Sequence, residues 1–180
     1  MTSVVSVGAW DDHYRNLAEP FAYGEDKPYL IAAEWVVDCA TVEDWGCGGG
    51  WLRRFIDATA YVGLDGSCSP YADKVVDLAT YRSSVEGIVM RSVLEHNDDW
   101  QPILDGALAS FTRRFFLALF TPLADETTLL LREPHYNQVP VYSFRLADIT
   151  DRIPADVTWA VETVPTRSFY NEETFIRMER

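Results

Sequence analysis

The sequence lacks the features that mark disulfide-rich, zinc-binding and membrane-spanning proteins. It has only three cysteines, an odd number, and none of them form a C-x-x-C pair, so neither a disulfide framework nor a structural zinc site is expected. The longest apolar run is the six residues Phe115–Phe120, whereas a helix that spans a bilayer needs about 20 apolar residues. The first residues lack a basic segment followed by a long apolar one. We therefore expect a cytoplasmic protein with no signal peptide and no membrane partner.

Positive charge is also scarce. The chain has 15 Lys and Arg residues against 28 Asp and Glu residues, which gives a net charge of −13. Such an excess repels phosphate backbones at long range, so nucleic acid is not an expected partner. No charge block or low-complexity linker divides the 180 residues, and this length is typical of one domain. The sequence therefore predicts a single domain over residues 1–180.

Segments suited to strands alternate with segments suited to helices. Apolar residues at helical spacing predict helices over residues 28–39, 51–56, 100–111 and 146–152. Strands are predicted over residues 41–45, 61–64, 74–78, 85–90, 114–120, 157–164 and 174–179. This alternation favours an α/β fold with a mostly parallel sheet, and the last two strands are expected to form a hairpin around Pro165.

A glycine-rich turn follows the first predicted strand. The segment Val42–Gly50 reads V-E-D-W-G-C-G-G-G, which places an acid and then G-x-G-x-G between a strand and the next helix. Glycine permits the backbone angles of a tight turn, and it lets the backbone approach a ligand because it has no Cβ atom. N–H groups at the start of the next helix would face that ligand. The turn is therefore a candidate cofactor site.

Spacing separates two cofactor classes that use such a turn. A dinucleotide fingerprint is G-x-G-x-x-G, and its third glycine allows close packing of the helix on the strand. Counted from Gly46 and Gly48, that third position is Trp51, which has the largest side chain available. The spacing therefore disfavours a nicotinamide-dependent oxidoreductase.

The turn instead resembles that of the class I S-adenosylmethionine-dependent methyltransferases. Their motif is acid-x-G-x-G-x-G, and Asp44–Gly50 matches every fixed position. Residues 61–67 (YVGLDGS) are similar to the family's second strand and its terminal acid, and residues 75–78 (VVDL) to its third-strand element. Residues 87–96 (GIVMRSVLEH) are similar to the fourth strand with the turn after it, and Phe115–Phe120 to the fifth strand.

The resemblance implies a Rossmann-like fold with helices on both faces of a seven-stranded, mostly parallel sheet in the order 3-2-1-4-5-7-6. Residues 28–180 would form the core, and residues 1–27 would be a segment that caps the site, where Trp10, His13 and Tyr14 are the candidate contacts. The segment from Asp65 to Lys74 is too short for a full helix, which departs from the family pattern on the adenine side.

The resemblance also implies a cofactor, S-adenosyl-L-methionine, and residues that would bind it. Asp65 would accept hydrogen bonds from both ribose hydroxyls, because a carboxylate has paired acceptor oxygens. Asp77 and Leu78 would flank the adenine, and the backbone at Arg91 would border the methionyl end. The residues assigned to cofactor binding are Tyr14, Asp44, Gly46, Cys47, Gly48, Gly50, Asp65, Gly66, Asp77, Leu78 and Arg91.

Three side chains are candidates for a catalytic base. His96 and His135 carry imidazoles, which titrate near neutral pH, and Tyr142 follows His135 in a loop-like segment, residues 132–142. Ligands of open α/β sheets bind beyond the carboxyl ends of the strands, so this segment is the best candidate for substrate contact. The histidines share no metal-ligand spacing, and no metal site is expected.

The leading hypothesis is therefore methyl transfer to a small molecule, with a protein acceptor as second choice. The alternative from another class is a catalytically inactive cofactor-binding module that acts through a protein partner. A nicotinamide-dependent oxidoreductase is third. The sequence does not identify the acceptor.

Overall fold

The computed structural model describes residues 4–133 and 138–180. The helices are α1 (Val4–Tyr14), α2 (Lys27–Trp35), α3 (Trp100–Ser110) and α4 (Leu146–Thr150). The strands are β1 (Val42–Trp45), β2 (Tyr61–Asp65), β3 (Lys74–Val75), β4 (Val85–Arg91), β5 (Phe111–Leu119), β6 (Thr128–Glu133), β7 (Val139–Ser143), β8 (Thr158–Pro165) and β9 (Glu172–Glu179). No described helix is long and apolar enough to cross a bilayer.

Seven of the strands form one sheet in the order β3-β2-β1-β4-β5-β9-β8. Strands β1 to β5 pair in parallel, whereas β9 pairs antiparallel with both β5 and β8. The predicted α/β fold with a seven-stranded sheet is confirmed. The order differs in detail from 3-2-1-4-5-7-6, because β6 and β7 come before the last two strands and form a separate two-stranded sheet. The sequence analysis treated that region as a loop.

The sheet is covered on both faces because its central strands are apolar on both sides. Val89 and Phe116 belong to one buried cluster with residues of α2. Ile88 and Phe115, their neighbours along the same strands, belong to a second cluster with residues of α3. Side chains alternate across a strand, so α2 and α3 lie on opposite faces. Burying each of these four apolar side chains stabilises the fold by roughly 2 kcal/mol.

The predicted helix over residues 51–56 is wrong. One turn of 3₁₀ helix, Leu52–Arg54, stands in its place. Only ten residues separate Gly50 from the start of β2, and the last of them form a turn in which the Asp57 carboxylate accepts hydrogen bonds from the backbone and hydroxyl of Thr59. A longer helix and its return to the sheet do not fit in this space.

Other elements differ in length from the prediction. Strand β3 covers two residues of the predicted five, β5 begins three residues earlier than expected, and α2 ends at Trp35 rather than at Cys39. Residues 66–73 contain no helix, as expected from the short segment between β2 and β3. The antiparallel hairpin around Pro165 is confirmed.

The N-terminal segment contacts the glycine-rich turn. The backbone N–H of Phe21 donates to the Gly49 carbonyl at 3.3 Å. The Asp11 carboxylate accepts the backbone N–H of Cys68 at 2.5 Å, which joins α1 to the loop after β2. This segment therefore lies against the carboxyl edge of the sheet.

Candidate functional site

A cavity of about 560 Å³ lies at the carboxyl ends of β1, β2 and β4. The ends of these parallel strands meet at one edge of the sheet, which is where open α/β sheets bind ligands. The cavity lining includes most of the predicted cofactor residues: Tyr14, Asp44, Gly46, Cys47, Gly48, Asp65, Gly66, Asp77, Leu78 and Arg91. The structure therefore brings them together in one place.

Two glycines of the turn need to be glycine. Gly46 and Gly48 have φ angles of 79° and 48°, a region that L side chains rarely adopt. A Cβ atom on Gly48 would lie 2.6 Å from the hydroxyl oxygen of Tyr14, and one on Gly46 would overlap a methyl group of Val93. The turn thus leaves an open cradle against α1.

Gly50, the third glycine of the motif, packs against another loop. It is not among the residues that line the cavity. Its φ is 70°, and a Cβ atom there would lie 2.5 Å from the Cβ of Tyr71. Gly50 therefore allows the turn to pack against Tyr71.

Asp65 is buried at the end of β2, where several donors hold its carboxylate. Oδ2 accepts the Gly48 backbone N–H at 2.8 Å, while Oδ1 accepts the backbone N–H and the hydroxyl of Ser67 at 2.8 and 2.6 Å. Burial raises the pKa of Asp65, and the Ser67 and Gly48 hydrogen bonds oppose that rise. A carboxylate offers about four acceptor sites, so Asp65 can accept one more hydrogen bond, and a second if the Ser67 hydroxyl turns away.

Asp44, in β1 just before the turn, is a second buried carboxylate in the cavity lining. Burial raises its pKa to about 7, although the Tyr61 hydroxyl donates to Oδ2 at 2.7 Å and opposes the shift. The group is therefore poised between its neutral and charged forms near neutral pH, and a cationic ligand would favour the charged form. Burial also raises the pKa of the neighbouring Cys47 thiol, so this cysteine stays uncharged.

Arg91 closes the cavity at the end of β4. Its guanidinium donates to both carboxylate oxygens of Glu173 on β9, at 2.8 and 3.0 Å. It also donates to the Tyr29 hydroxyl at 3.0 Å and to the Tyr23 carbonyl at 3.1 Å. Arg91 thus joins β4, β9, α2 and the N-terminal segment, and its charge is already paired.

Of the three candidate bases, His96 lies in the cavity wall. Its Nδ1 is 3.1 Å from the carbonyl oxygen of Pro140. That oxygen can only accept, so Nδ1 carries the hydrogen and Nε2 is left as an acceptor. Burial lowers the pKa of His96 to about 4, and the ring is neutral at pH 7. It stacks on Phe120 with ring centroids 5.2 Å apart.

The other two candidate bases are Tyr142 and His135. Tyr142 does not line the cavity, and its hydroxyl donates to Asp98 at 2.8 Å. Burial and that hydrogen bond raise the pKa of Tyr142, so the phenolate that could act as a base is less populated near neutral pH. His135 lies outside the described residues. Of the predicted substrate segment 132–142, the described residues other than Gln138 belong to β6 and β7 rather than to a loop.

Sequence reasoning missed an aromatic part of the lining. It includes Phe21, Tyr23, Phe120 and Phe169, with Arg167 beside them. These residues come from the N-terminal segment, the end of β5 and the turn between β8 and β9. No spacing in the sequence relates these segments, so only the folded chain reveals the group.

No family model matches the chain, and no curated protein sequence does so either. Solved structures do match. The N1-methyltransferase for 1,6-didemethyltoxoflavin from Burkholderia thailandensis, solved with S-adenosylhomocysteine, is 15% identical with a TM-score of 0.69, and the match covers 98% of this chain and 84% of that one. The N-methyltransferase NodS from Bradyrhizobium japonicum, also solved with S-adenosylhomocysteine, is 11% identical with a TM-score of 0.63 and 98% coverage of both chains.

A third structural neighbour is assigned to a class of enzyme other than the methyltransferases. A protein from Rhodobacter sphaeroides, assigned provisionally to the Zn-dependent alcohol dehydrogenases, is 10% identical with a TM-score of 0.70, and the match covers 99% of both chains. Identities this low show a shared fold and nothing about activity. The chain has the class I methyltransferase fold.

Proposed function

We propose that this chain, built on the class I methyltransferase fold, binds S-adenosyl-L-methionine and transfers its methyl group to a small-molecule acceptor. One observation carries the proposal. The cavity brings the glycine turn, Asp44, Asp65 and Asp77 together at the carboxyl edge of the sheet, although these residues are spread over more than 30 positions of the sequence.

The residues fit the parts of this cofactor. Gly48 leaves a cradle that a side chain would fill, and Asp65 has acceptor capacity left for ribose hydroxyls. Asp44 offers a carboxylate whose charged form an ammonium group would stabilise. Asp77 and Leu78, which line the cavity beyond β3, are proposed to flank the adenine.

The chain's own contribution to the reaction is mainly positioning. S-adenosyl-L-methionine supplies a methyl group activated by a positively charged sulfur. Holding two reacting groups in line can lower a barrier by about 7–11 kcal/mol. We propose that Nε2 of His96 accepts a hydrogen bond from the acceptor and thereby orients it, because a ring with a pKa of about 4 is a weak base at pH 7. Residues 1–27 are proposed to cap the site within one domain.

Calorimetric titration with S-adenosylhomocysteine tests the cofactor assignment. We expect wild type to bind, and Asp65→Asn to bind at least about tenfold more weakly, because charge-assisted hydrogen bonds are the stronger ones. Asp156→Asn is the matched control, since Asp156 pairs with Arg180 at an exposed position outside the cavity lining. Absence of binding by wild type, or equal binding by Asp65→Asn, would contradict the assignment.

A turnover experiment separates an enzyme from a binding module. Incubation with cofactor labelled in the methyl group and a metabolite extract should yield a labelled small molecule. Binding of the cofactor without transfer, together with a stable protein partner, would favour the catalytically inactive module.

The neighbour assigned to the dehydrogenases makes nicotinamide cofactors worth testing. Trp51 occupies the position of the third glycine, where its Nε1 donates to Asp26 at 2.7 Å and Arg54 lies over its ring at 4.1 Å. These contacts hold the indole in place. We therefore expect no binding of NAD or NADP in the same calorimeter, and clear binding would favour the oxidoreductase instead.

A further inference from the structure

One side of the cavity is formed by residues that the proposed cofactor site does not use. Arg91 at the end of β4 donates to the carbonyl of Tyr23. The next residue, Gly24, has a φ of 84°, and a Cβ atom there would lie 3.1 Å from the Arg167 carbonyl oxygen. The turn that carries Arg167 and Phe169 therefore lies beside the end of β4. The resemblance places the methionyl end of the cofactor there, and the acceptor must reach that end.

Aromatic rings dominate this side. Phe21 and Tyr23 meet edge to face, with ring centroids 4.7 Å apart, and Phe120 stacks on His96. Phe169 lines the cavity although it is 85% exposed. An apolar ring left in water at a cavity mouth gains from contact with the flat face of an aromatic ligand.

Two arginines lie on this side of the cavity, Arg91 and Arg167. The charged residues that line the cavity are Asp44, Asp65, Asp77, Arg91 and Arg167. The three acids belong to the proposed cofactor site, and Arg91 is paired with Glu173. The guanidinium of Arg167 has no hydrogen bond or ion pair with any described residue, and only the backbone N–H of Arg167 donates to Glu25, at 2.9 Å.

The position of Arg167 is well defined by its surroundings. Lys27 donates to the Pro165 carbonyl at 2.7 Å, which ties the start of the turn to α2. Within the turn, the backbone N–H of Thr166 donates to the Asn171 carbonyl at 3.0 Å. The turn is thus held at both its start and its end, and it presents an unpaired cation at the cavity of a protein that carries 13 surplus negative charges.

We propose that the methyl acceptor is an aromatic compound with an acidic group, whose ring lies against Phe21, Tyr23 and Phe169 and whose anion pairs with Arg167. This inference rests on the proposed function, because it identifies the acceptor of that reaction by its chemistry. Guanidinium and carboxylate groups match in geometry as well as in charge. The acids in the cavity lining are Asp44, Asp65 and Asp77 of the proposed cofactor site; the Glu25 carboxylate accepts the Arg167 backbone N–H but lies outside the lining.

Ligand binding to the protein saturated with S-adenosylhomocysteine tests the proposal. The probes are naphthoate, its uncharged amide naphthamide and the cationic naphthylmethylamine, each titrated by calorimetry. In wild type we expect naphthoate to bind about five- to tenfold more tightly than the amide, and the amine to bind most weakly. In Arg167→Gln the acid and the amide should bind equally. Phe169→Ala should weaken both ligands by the same factor.

Arg113→Gln is the matched control. It removes the same charge near the start of β5, where Arg113 pairs with Asp38 at 2.6 Å outside the cavity lining, and it should leave the preference for the acid unchanged. Equal binding of acid, amide and amine by wild type would overturn the proposal, and so would failure of all three probes to bind.

A separate measurement distinguishes this inference from the proposed function. Arg167→Gln should bind S-adenosylhomocysteine as wild type does. If that affinity falls instead, Arg167 holds the cofactor's carboxylate and the acceptor assignment is wrong. If wild type itself does not bind S-adenosylhomocysteine, the proposed function fails first.

Discussion

At the scale of single residues, Glu95 is a buried carboxyl that the proposed chemistry does not use. It is fully buried, and Oε1 accepts the Phe120 backbone N–H at 2.6 Å, while Oε2 has no hydrogen-bond partner among the described residues. Burial raises the pKa of Glu95 from its ordinary 4.5 to about 7; the nearby Glu173 adds to the rise and Arg91 opposes it. The folded protein therefore favours the protonated form.

This shift predicts a pH-dependent stability. Between about pH 4.5 and pH 7 the folded state binds the proton of Glu95 more tightly than the unfolded state does, so the free energy of unfolding falls as the pH rises through this window and is level above it. The loss is on the order of 3 kcal/mol. Glu95→Gln cannot titrate, so its stability relative to wild type should increase from pH 5 to pH 7.5 in urea unfolding experiments.

The comparison with wild type is needed because His96 titrates in an overlapping range. Its lowered pKa makes the free energy of unfolding rise with pH between about 4 and 6.5, which is opposite to the effect of Glu95. The difference between variant and wild type cancels the contribution of His96. A difference that stays constant with pH would show that the Glu95 carboxyl is not shifted in the folded state.

Asp44 predicts a pH dependence for ligand binding. Because its pKa is about 7 in the free protein, lowering the pH from 7.5 to 6 protonates the carboxyl before a ligand ammonium can bind. The affinity for S-adenosylhomocysteine should fall by up to about tenfold per pH unit below the pKa. Calorimetry at pH 6, 6.5, 7 and 7.5 measures this slope, which Asp44→Asn should flatten. A wild-type affinity independent of pH would rule out the ammonium contact.

At the scale of elements, the turn after β1 depends on a backbone conformation as much as on contacts. In Gly48→Ala the alanine residue would have to adopt a φ near 48°, and its methyl group would meet the Tyr14 hydroxyl. We expect a loss of about 1–2 kcal/mol in the free energy of unfolding, together with weaker binding of S-adenosylhomocysteine.

Gly8→Ala provides the control for that substitution. Gly8 lies within α1, and no atom lies within 4 Å of the Cβ position. Alanine is favoured over glycine inside a helix by about 1 kcal/mol. Chemical unfolding should therefore show the two substitutions moving the stability in opposite directions. If Gly48→Ala were also neutral or stabilising, the cradle would not require glycine.

The same elements show how far the sequence could predict the fold. The central strands of the main sheet carry apolar segments buried on both faces, so β4 was predicted close to its observed bounds and β5 to within three residues at its start. The β8–β9 hairpin was also predicted close to its observed bounds, although β8 is mostly exposed. For residues 51–56 the apolar spacing predicted a helix, whereas the structure has one 3₁₀ turn in which Leu52 is buried. Apolar spacing reports which side chains are buried, whereas the room for a helix depends on where the flanking strands lie.

The candidate site was predictable where one short segment carries the signal. The glycine turn was found from its spacing and Asp65, at the end of β2, from the family resemblance, and the structure places both in one cavity. The separate sheet of β6 and β7 was not predicted, because Leu129–Leu131 are partly exposed and do not alternate with polar residues. Arg167 and Phe169 meet the cavity only through tertiary contacts, which no local pattern encodes.

At the scale of the whole molecule, the cavity links α1, the glycine turn and the ends of β1, β2 and β4. A ligand that binds only this folded arrangement stabilises it by about 2.7 kcal/mol at a hundred times its Kd. For a chain of 180 residues, that free energy raises the midpoint of thermal unfolding by about 5–10 °C. Saturating S-adenosylhomocysteine should therefore produce a shift of this size in wild type.

The net charge of −13 sets the condition for measuring that shift. Surplus charge destabilises the compact state through self-repulsion, and added salt screens it, so every melting curve must be recorded at one ionic strength. Asp65→Asn loses one surplus negative charge, which changes the unliganded midpoint as well. The shift on adding ligand is therefore the quantity to compare. That shift should be much smaller in Asp65→Asn and unchanged in Asp156→Asn. An equal shift in all three proteins would mean that the ligand binds somewhere other than the carboxyl edge of the sheet.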